Sequence, residues 1–252
     1  MNTLGMVLSG STPANTGSST MFIVVYILIF AAIIYFMMIR PQKKQKAKTE
    51  EMHNQMEPGD NIMTTSGFYG TILDIVDDNG IPTGKTVERK TAHREGIQHR
   101  TAHLWIARKK CGNIELLLQK RCMEKDSFPG CYDISSAGHI PAGMDYVPSA
   151  LRELREELGV TAKEEDLIFC GKKRVTVTSE FHEHPYTDRQ VCNVYLMWLD
   201  REAEDFVVQK EEIDSVMWME YQACRKVVIE NTIPNCIDIE ELDMLEEHFH
   251  DI

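Results

Sequence analysis

The chain lacks a basic surplus: 27 Lys and Arg face 39 Asp and Glu, a net charge of −12 over 252 residues. A protein that grips nucleic acid through its phosphates needs the opposite balance, so no nucleic-acid partner is expected. A small diphosphate is not excluded, because a bound divalent cation reverses the local sign of a carboxylate-lined site. Paired cysteines are lacking too. The seven, Cys111, Cys122, Cys131, Cys170, Cys192, Cys224 and Cys236, are odd in number and scattered, with no C-x-x-C, and they read as reduced thiols. A phosphate loop is also missing. Gly84-Lys85-Thr86 follows Gly80 with three residues between them, where that loop needs four.

Charge is absent from residues 1–20, which are rich in Ser, Thr, Gly and Asn and offer little to bury, so a disordered extracytoplasmic tail is expected. It is absent again from 21–39, where every residue is apolar or aromatic. At about 1.5 Å per residue that run makes a helix of about 28 Å, close to the thickness of a bilayer core. The expectation is one transmembrane helix. Arg40, Lys43, Lys44, Lys46 and Lys48 follow the run and nothing charged precedes it, which puts the C-terminal side in the cytoplasm and the protein in the inner membrane as a single-pass chain. A cleaved signal would want its basic residues first.

Pro41 ends or kinks the span, 42–55 reads as a polar, helical stalk, and Pro58-Gly59-Asp60 marks a turn. Runs 61–65 and 69–76 are β-rich and separated by Ser66-Gly67-Phe68, as in a small hairpin. The order of parts, an apolar span, IRPQKKQKAK and then EPGDNIMTTSGFYGTI, resembles the YajC-type accessory subunit of the bacterial Sec preprotein translocase over residues 20–73. That resemblance implies contact with Sec translocase subunits and no catalysis from this part.

Beyond a turn-rich joint and a polar stretch, 85–98, strands are expected at 101–107, 115–119, 174–181, 191–199 and 216–219. Helices are expected at 148–158, 221–230 and 239–249, giving an α+β mix. The informative stretch runs from Gly138 to Val160. Pro148 suits a first helical position and Gly159 the residue just past a helix end. Ala150 or Leu151, Leu154 and Leu158 form an apolar stripe. Glu153 and Glu157, four apart, stack on one face, and Glu156 flanks them. Like charges at that spacing repel, and hard oxygen donors in such a group suit Mg²⁺ or Mn²⁺.

The stretch closely resembles the Nudix box, G-x5-E-x7-R-E-U-x-E-E-x-G-U, with U a bulky aliphatic residue: Gly138, Arg152, Glu153, Leu154, Glu156, Glu157, Gly159 and Val160 fall on its fixed positions. The resemblance implies a Nudix α/β/α sandwich with a mixed sheet over 74–252, with a core at 97–230; it follows the tail at 1–20, the span at 21–39 and the translocase-type stalk and small β unit at 40–73. It implies metal held by Glu153, Glu156 and Glu157, with Arg152 orienting a glutamate. It implies hydrolysis of a diphosphate by water, the cation polarising a phosphoryl oxygen and lowering the pKa of water. Glu212 and the box glutamates are the candidate bases; Lys120, Arg121, Gly138 and His139 are candidate substrate contacts. One position departs from the pattern. Met144 stands where the box has its early glutamate, with Asp145 beside it, so either the loop is weakened or a neighbouring carboxylate has shifted into the role.

The flanks, Gly96 to Ile106, Leu116 to Arg121, Phe128 to Asp133 and Ala137-Gly138-His139, resemble Nudix proteins related to isopentenyl-diphosphate isomerase. In those isomerases a cysteine precedes the Gly-His pair and a later glutamate completes the acid/base couple. Here Ala137 and Gln190 occupy these positions, and neither shuttles a proton, so isomerisation is disfavoured. His99 and His139 match metal-binding positions of the isomerases; in a hydrolase they serve as ligands, orient loops or touch substrate. Two readings stand beside the isomerase: a membrane-anchored Nudix hydrolase acting on a nucleoside diphosphate derivative or similar small molecule, and a translocase-associated interaction protein whose Nudix domain scarcely turns over.

Overall fold

Strand β5 (His99–Lys110) buries Trp105 and Ala107 on one side and Leu104 and Ile106 on the other, the two-residue alternation of a strand covered on both faces. The computed structural model describes residues 62–63, 69–125, 127–181 and 184–249, all within one compact unit, 58–252. The tail 1–20, the apolar run 21–39 and the stalk 42–55 lie outside the described residues. Among the described residues no helix is long and apolar enough to cross a membrane.

The central sheet is mixed, as the α+β reading expects. Its order is β11 (Ile213–Glu220), β6 (Asn113–Arg121), β5, β10 (His184–Trp198), β9 (Ile168–Phe181), with β5 and β10 parallel and the other pairs antiparallel. Two short strands, β7 (Tyr132–Asp133) and β8 (Ser136–His139), pair with β6 and β5. β8 takes the N-terminal half of β5, opposite Thr101 to Leu104, while β6 takes its end from Ala107. The sheet therefore splits along one edge of β5.

Helix α2 (Tyr146–Leu158) lays Ala150, Leu154 and Leu158 on the Leu104 face. Truncating Leu154 there would cost about 2–5 kcal/mol. Helices α3 (Tyr221–Glu230) and α4 (Ile239–Glu246) cover the Trp105 face through Tyr221, Cys224, Leu242 and Leu245. Gly159, at φ 65°, closes α2 by donating its N–H to Arg155 and Leu154, as expected of a residue just past a helix end. Pro148 is not at the first helical position: the helix starts two residues earlier, behind Asp145, so Pro148 still lies within the first turn, where no N–H is missed.

The N-terminal β unit differs more. Ile62–Met63 (β1) pairs with Tyr69–Gly70 (β2), in line with the expected hairpin. Ile72–Val76 (β3) then pairs instead with Pro82–Glu88 (β4), and a helix, α1 (Arg89–Glu95), follows. Residues 85–98 are thus no mere connector. Gly84-Lys85-Thr86 lies exposed within strand β4 rather than in a loop that opens a helix. This unit is tied to the large sheet by a bridge between Leu73 and Pro141, by Ala142 N–H donating to the Ile72 carbonyl (2.8 Å), and by the buried Arg100–Asp74 ion pair (3.0 Å).

Candidate active site

Helix α2 brings its three glutamates to a cavity of about 930 Å³ that opens beside β8, and Arg152 lines it with them. Arg152 Nη2 donates to Glu153 at 2.7 Å, and Arg152 Nε lies 4.0 Å from Glu156. Gly138 is glycine for a reason of space: a Cβ there would sit 2.3 Å from Cγ of Glu153. Glu157 is buried, accepts a 2.6 Å hydrogen bond from Ser136 Oγ, and forms no ion pair among the described residues. Burial, reinforced by the nearby Glu153 charge, pushes its carboxyl up to about 7. A carboxylate so placed lacks a positive charge. Oxygen donors from Glu153, Glu156 and Glu157 fit a hard divalent ion that supplies it.

The expected substrate residues separate. Arg121 lines the cavity, donating to Asp133 (3.0 Å) and to the Ser127 carbonyl; Lys120 does not, and pairs with Asp214 at 3.2 Å. Neighbours in a strand point to opposite faces, so of the two only Arg121 is brought to the cavity. Gly138 and His139 both line the cavity. Glu212 lines it as well, but in an ion pair with Lys125.

Met144 packs partly buried against the α2 core, while Asp145 is exposed, off the cavity, and makes no capping hydrogen bond. Asp145 therefore does not replace the missing glutamate. Nor is the loop left loose: Arg100 donates to the Met144 carbonyl (2.7 Å), and the Gly143 N–H donates to Asp74 (2.9 Å).

Beside this group lies a cluster that the sequence only half revealed. His93 of α1, His99 of β5, His139 of β8 and Asp188 of β10 bring one ligand atom each within 4.8 Å of one another. His93 Nε2 is 3.0 Å from His139 Nε2 and 3.7 Å from Asp188 Oδ1, and His99 Nε2 is 3.2 Å from that same oxygen. His99 Nδ1 faces the Ile97 carbonyl at 2.9 Å, which sets the tautomer that leaves Nε2 a lone pair. His99 Nε2 and Asp188 Oδ1 are buried without a well-formed hydrogen bond. Burial lowers the pKa of His93 to about 4 and pushes His139 well down, where the Arg89, His99 and His93 charges add to it. Neutral imidazoles around a carboxylate are a donor set for a transition-metal ion.

The sequence reading missed His93 and Asp188. His93 hides in a polar stretch, and Asp188 stands two residues before Gln190, the same strand face at the next inward position. Gln190 itself donates to Asp188 (2.6 Å) and accepts from Thr101 (3.0 Å). A third group went unseen at the inner end of the cavity: Glu241 of α4, buried, takes hydrogen bonds from His103 (2.7 Å) and Trp105 (2.8 Å) and pairs with Lys173 at 3.2 Å.

Comparison with known proteins finds two matches along the chain. The sequence model of the YajC family, a preprotein translocase subunit, matches residues 23–92, and that of the NUDIX domain matches 98–233. An uncharacterised Nudix hydrolase of Clostridium acetobutylicum is 35% identical over 148 residues, 59% of this chain and 69% of that protein. The YajC subunit of the Sec translocon accessory complex from Halalkalibacterium halodurans is 45% identical over 60 residues, 24% of this chain and 66% of that protein. Among solved structures, one from Deinococcus radiodurans superposes with a TM-score of 0.50 at 17% identity, covering 68% of this chain and 97% of its own, which speaks for the fold alone.

Proposed function

We propose, since the chain belongs to the NUDIX domain family and is a Nudix diphosphate hydrolase by that membership, that it is held at the inner face of the membrane by residues 21–39 and cleaves a nucleoside diphosphate derivative or similar small diphosphate with Mg²⁺ or Mn²⁺. One observation carries the reading: Glu157, with Glu153 beside it, is a buried carboxylate in the cavity wall that forms no ion pair among the described residues.

A divalent ion held there by Glu153, Glu156 and Glu157 supplies Lewis-acid polarisation of the phosphoryl group and acidifies water. The chain's own residues do the rest. Arg152 holds Glu153 in place, and Ser136 fixes the inner oxygen of Glu157. Arg121 and Lys125 line the wall that the diphosphate meets, each already paired with a carboxylate, Asp133 and Glu212. Proton removal from water falls to a box glutamate more readily than to Glu212, whose carboxylate Lys125 neutralises.

Isomerase chemistry is not supported: Ala137 and Gln190 both line the cavity, and neither carries a transferable proton at neutral pH. The interaction-protein alternative gains from the translocase-type match but loses its main argument, because the Met144 loop is firmly held. The test is a panel of diphosphates offered to the detergent-solubilised full chain, with Mg²⁺ or with EDTA. Hydrolysis of a panel member that EDTA and Glu157→Gln both abolish is expected; an intact panel would replace this reading by the binding one.

A further inference from the structure

Five Lys and Arg side chains line the cavity, and four of them are neutralised: Arg121 by Asp133, Lys125 by Glu212, Arg152 by Glu153 and Lys173 by Glu241 and Asp238. The fifth is Arg89, the first residue of α1. Its guanidinium has no ion pair or hydrogen bond among the described residues, and it is exposed to the cavity mouth.

Local geometry explains why. The adjacent carboxylate, Glu88, is turned to capping the helix, its Oε2 accepting the Thr91 N–H at 2.9 Å, and makes no ion pair with Arg89 among the described residues. The Arg89 N–H is fixed by the Thr71 carbonyl at 2.9 Å, so the side chain departs from a held backbone. Arg89 lines the same cavity as His139 and Lys125, and its charge lowers the proton affinity of both and of His93.

We infer that Arg89 binds the diphosphate of the substrate, so that the catalytic cavity is completed by residues 71–95, a segment outside the 98–233 NUDIX match and largely inside the 23–92 translocase-type match. The inference rests on the hydrolase reading above and deepens it. An arginine on open surface is simply solvated; this one borders a site where three carboxylates and their counter-ion leave no net positive charge for an incoming polyanion. A guanidinium is also the side chain best shaped to take two phosphate oxygens at once. The two matched regions then share one working site, and anything that shifts α1 through the translocase-type segment shifts a substrate contact.

Calorimetric titration of the detergent-solubilised full chain with inorganic pyrophosphate, in Mg²⁺ and again in EDTA, tests this. Arg89→Gln is expected to weaken binding about tenfold or more in both conditions, the size of one lost charged hydrogen-bond pair, and Arg89→Lys to recover part of it. Arg94→Gln removes the same charge from the same helix, off the cavity, and should leave the affinity alone. Unchanged affinity in Arg89→Gln, or an equal loss in Arg94→Gln, overturns the inference while leaving hydrolysis intact. A native chain that binds no pyrophosphate overturns it too, and the diphosphate panel then decides the hydrolase reading on its own.

Discussion

Ser136 Oγ stands 2.6 Å from Oε2 of Glu157 and is, among the described residues, the single hydrogen-bond donor to that buried carboxylate. The bond couples β8 to α2 at the point where the cation is expected. Removing the hydroxyl leaves the ligand misoriented rather than missing, so Ser136→Ala should weaken Mg²⁺ binding by about 10–100-fold, the usual cost of losing a partner of a metal ligand. Glu157→Gln should remove most activity at any Mg²⁺ concentration. Titrating hydrolysis against Mg²⁺ separates the two: a rightward shift that saturates for Ser136→Ala, a lost plateau for Glu157→Gln. Equal behaviour of both variants would remove Glu157 from the metal site.

Gly138 makes a sterically sharper case. Its missing Cβ would fall 2.3 Å from Cγ and 2.6 Å from Cδ of Glu153, atoms too near the backbone of α2 to swing clear cheaply. Gly138→Ala should push the Glu153 carboxylate off its Arg152 partner and cut turnover by about 100-fold, the order expected for a misplacement of about 1 Å. Stability should change far less. A variant with native turnover would show that Glu153 has room to spare and does not need its present position.

Much of this was readable from the chain because α2 obeys local rules: an apolar stripe at Ala150, Leu154 and Leu158, a glycine at its end, and acids on the remaining face. The central strands were readable for the same reason, since β5, β6 and β10 alternate buried faces. Helix α1 was not. It buries only Ala92 and His93, so it has no stripe, and its position is set by the Glu88 cap and by Gly96 at φ 63°. Lys120 and Arg121 read as one basic patch in the sequence, but strand alternation brings only Arg121 to the cavity. His93, Asp188, His103 and Glu241 are brought into the site by contacts 46 to 138 residues apart in sequence, which no window of neighbours displays.

The imidazole cluster should behave as a cation site independent of the glutamates. With His99 Nε2 and Asp188 Oδ1 already buried and unsatisfied, a transition-metal ion removes a cost rather than adding one. The purified full chain dialysed against Mn²⁺ or Zn²⁺ should retain metal, and His99→Ala should lose about one equivalent of it, as expected when one ligand of a small site is deleted. Glu157→Gln should keep that equivalent. Elemental analysis of the three proteins gives the answer, and identical metal content in native and His99→Ala would remove the cluster from consideration as a site.

Glu241 couples the stability of the domain to acid pH. Burial alone would raise its pKa, but the His103 charge and hydrogen bond, with Lys173 and Trp105 behind them, hold it down at about 2 against an ordinary 4.5. A depressed carboxylate stabilises the fold fully above its unfolded value, and that contribution fades as pH drops from about 4.5 to about 2. His103 runs the other way: burial opposes its charge, Cys192 and Glu241 raise its pKa well above 6.5, and its contribution holds below 6.5 and is lost only as pH rises through that higher value. Glu241→Gln strands Lys173 and His103 without a buried counter-charge, at a cost of about 3–5 kcal/mol at neutral pH. Urea unfolding followed by the fluorescence of Trp105, Trp198 and Trp218 should show that gap at pH 6 and a much narrower one at pH 3. A gap that stays constant with pH would mean that Glu241 is not held as a carboxylate, and that α4 is fastened to the sheet by its apolar side chains alone.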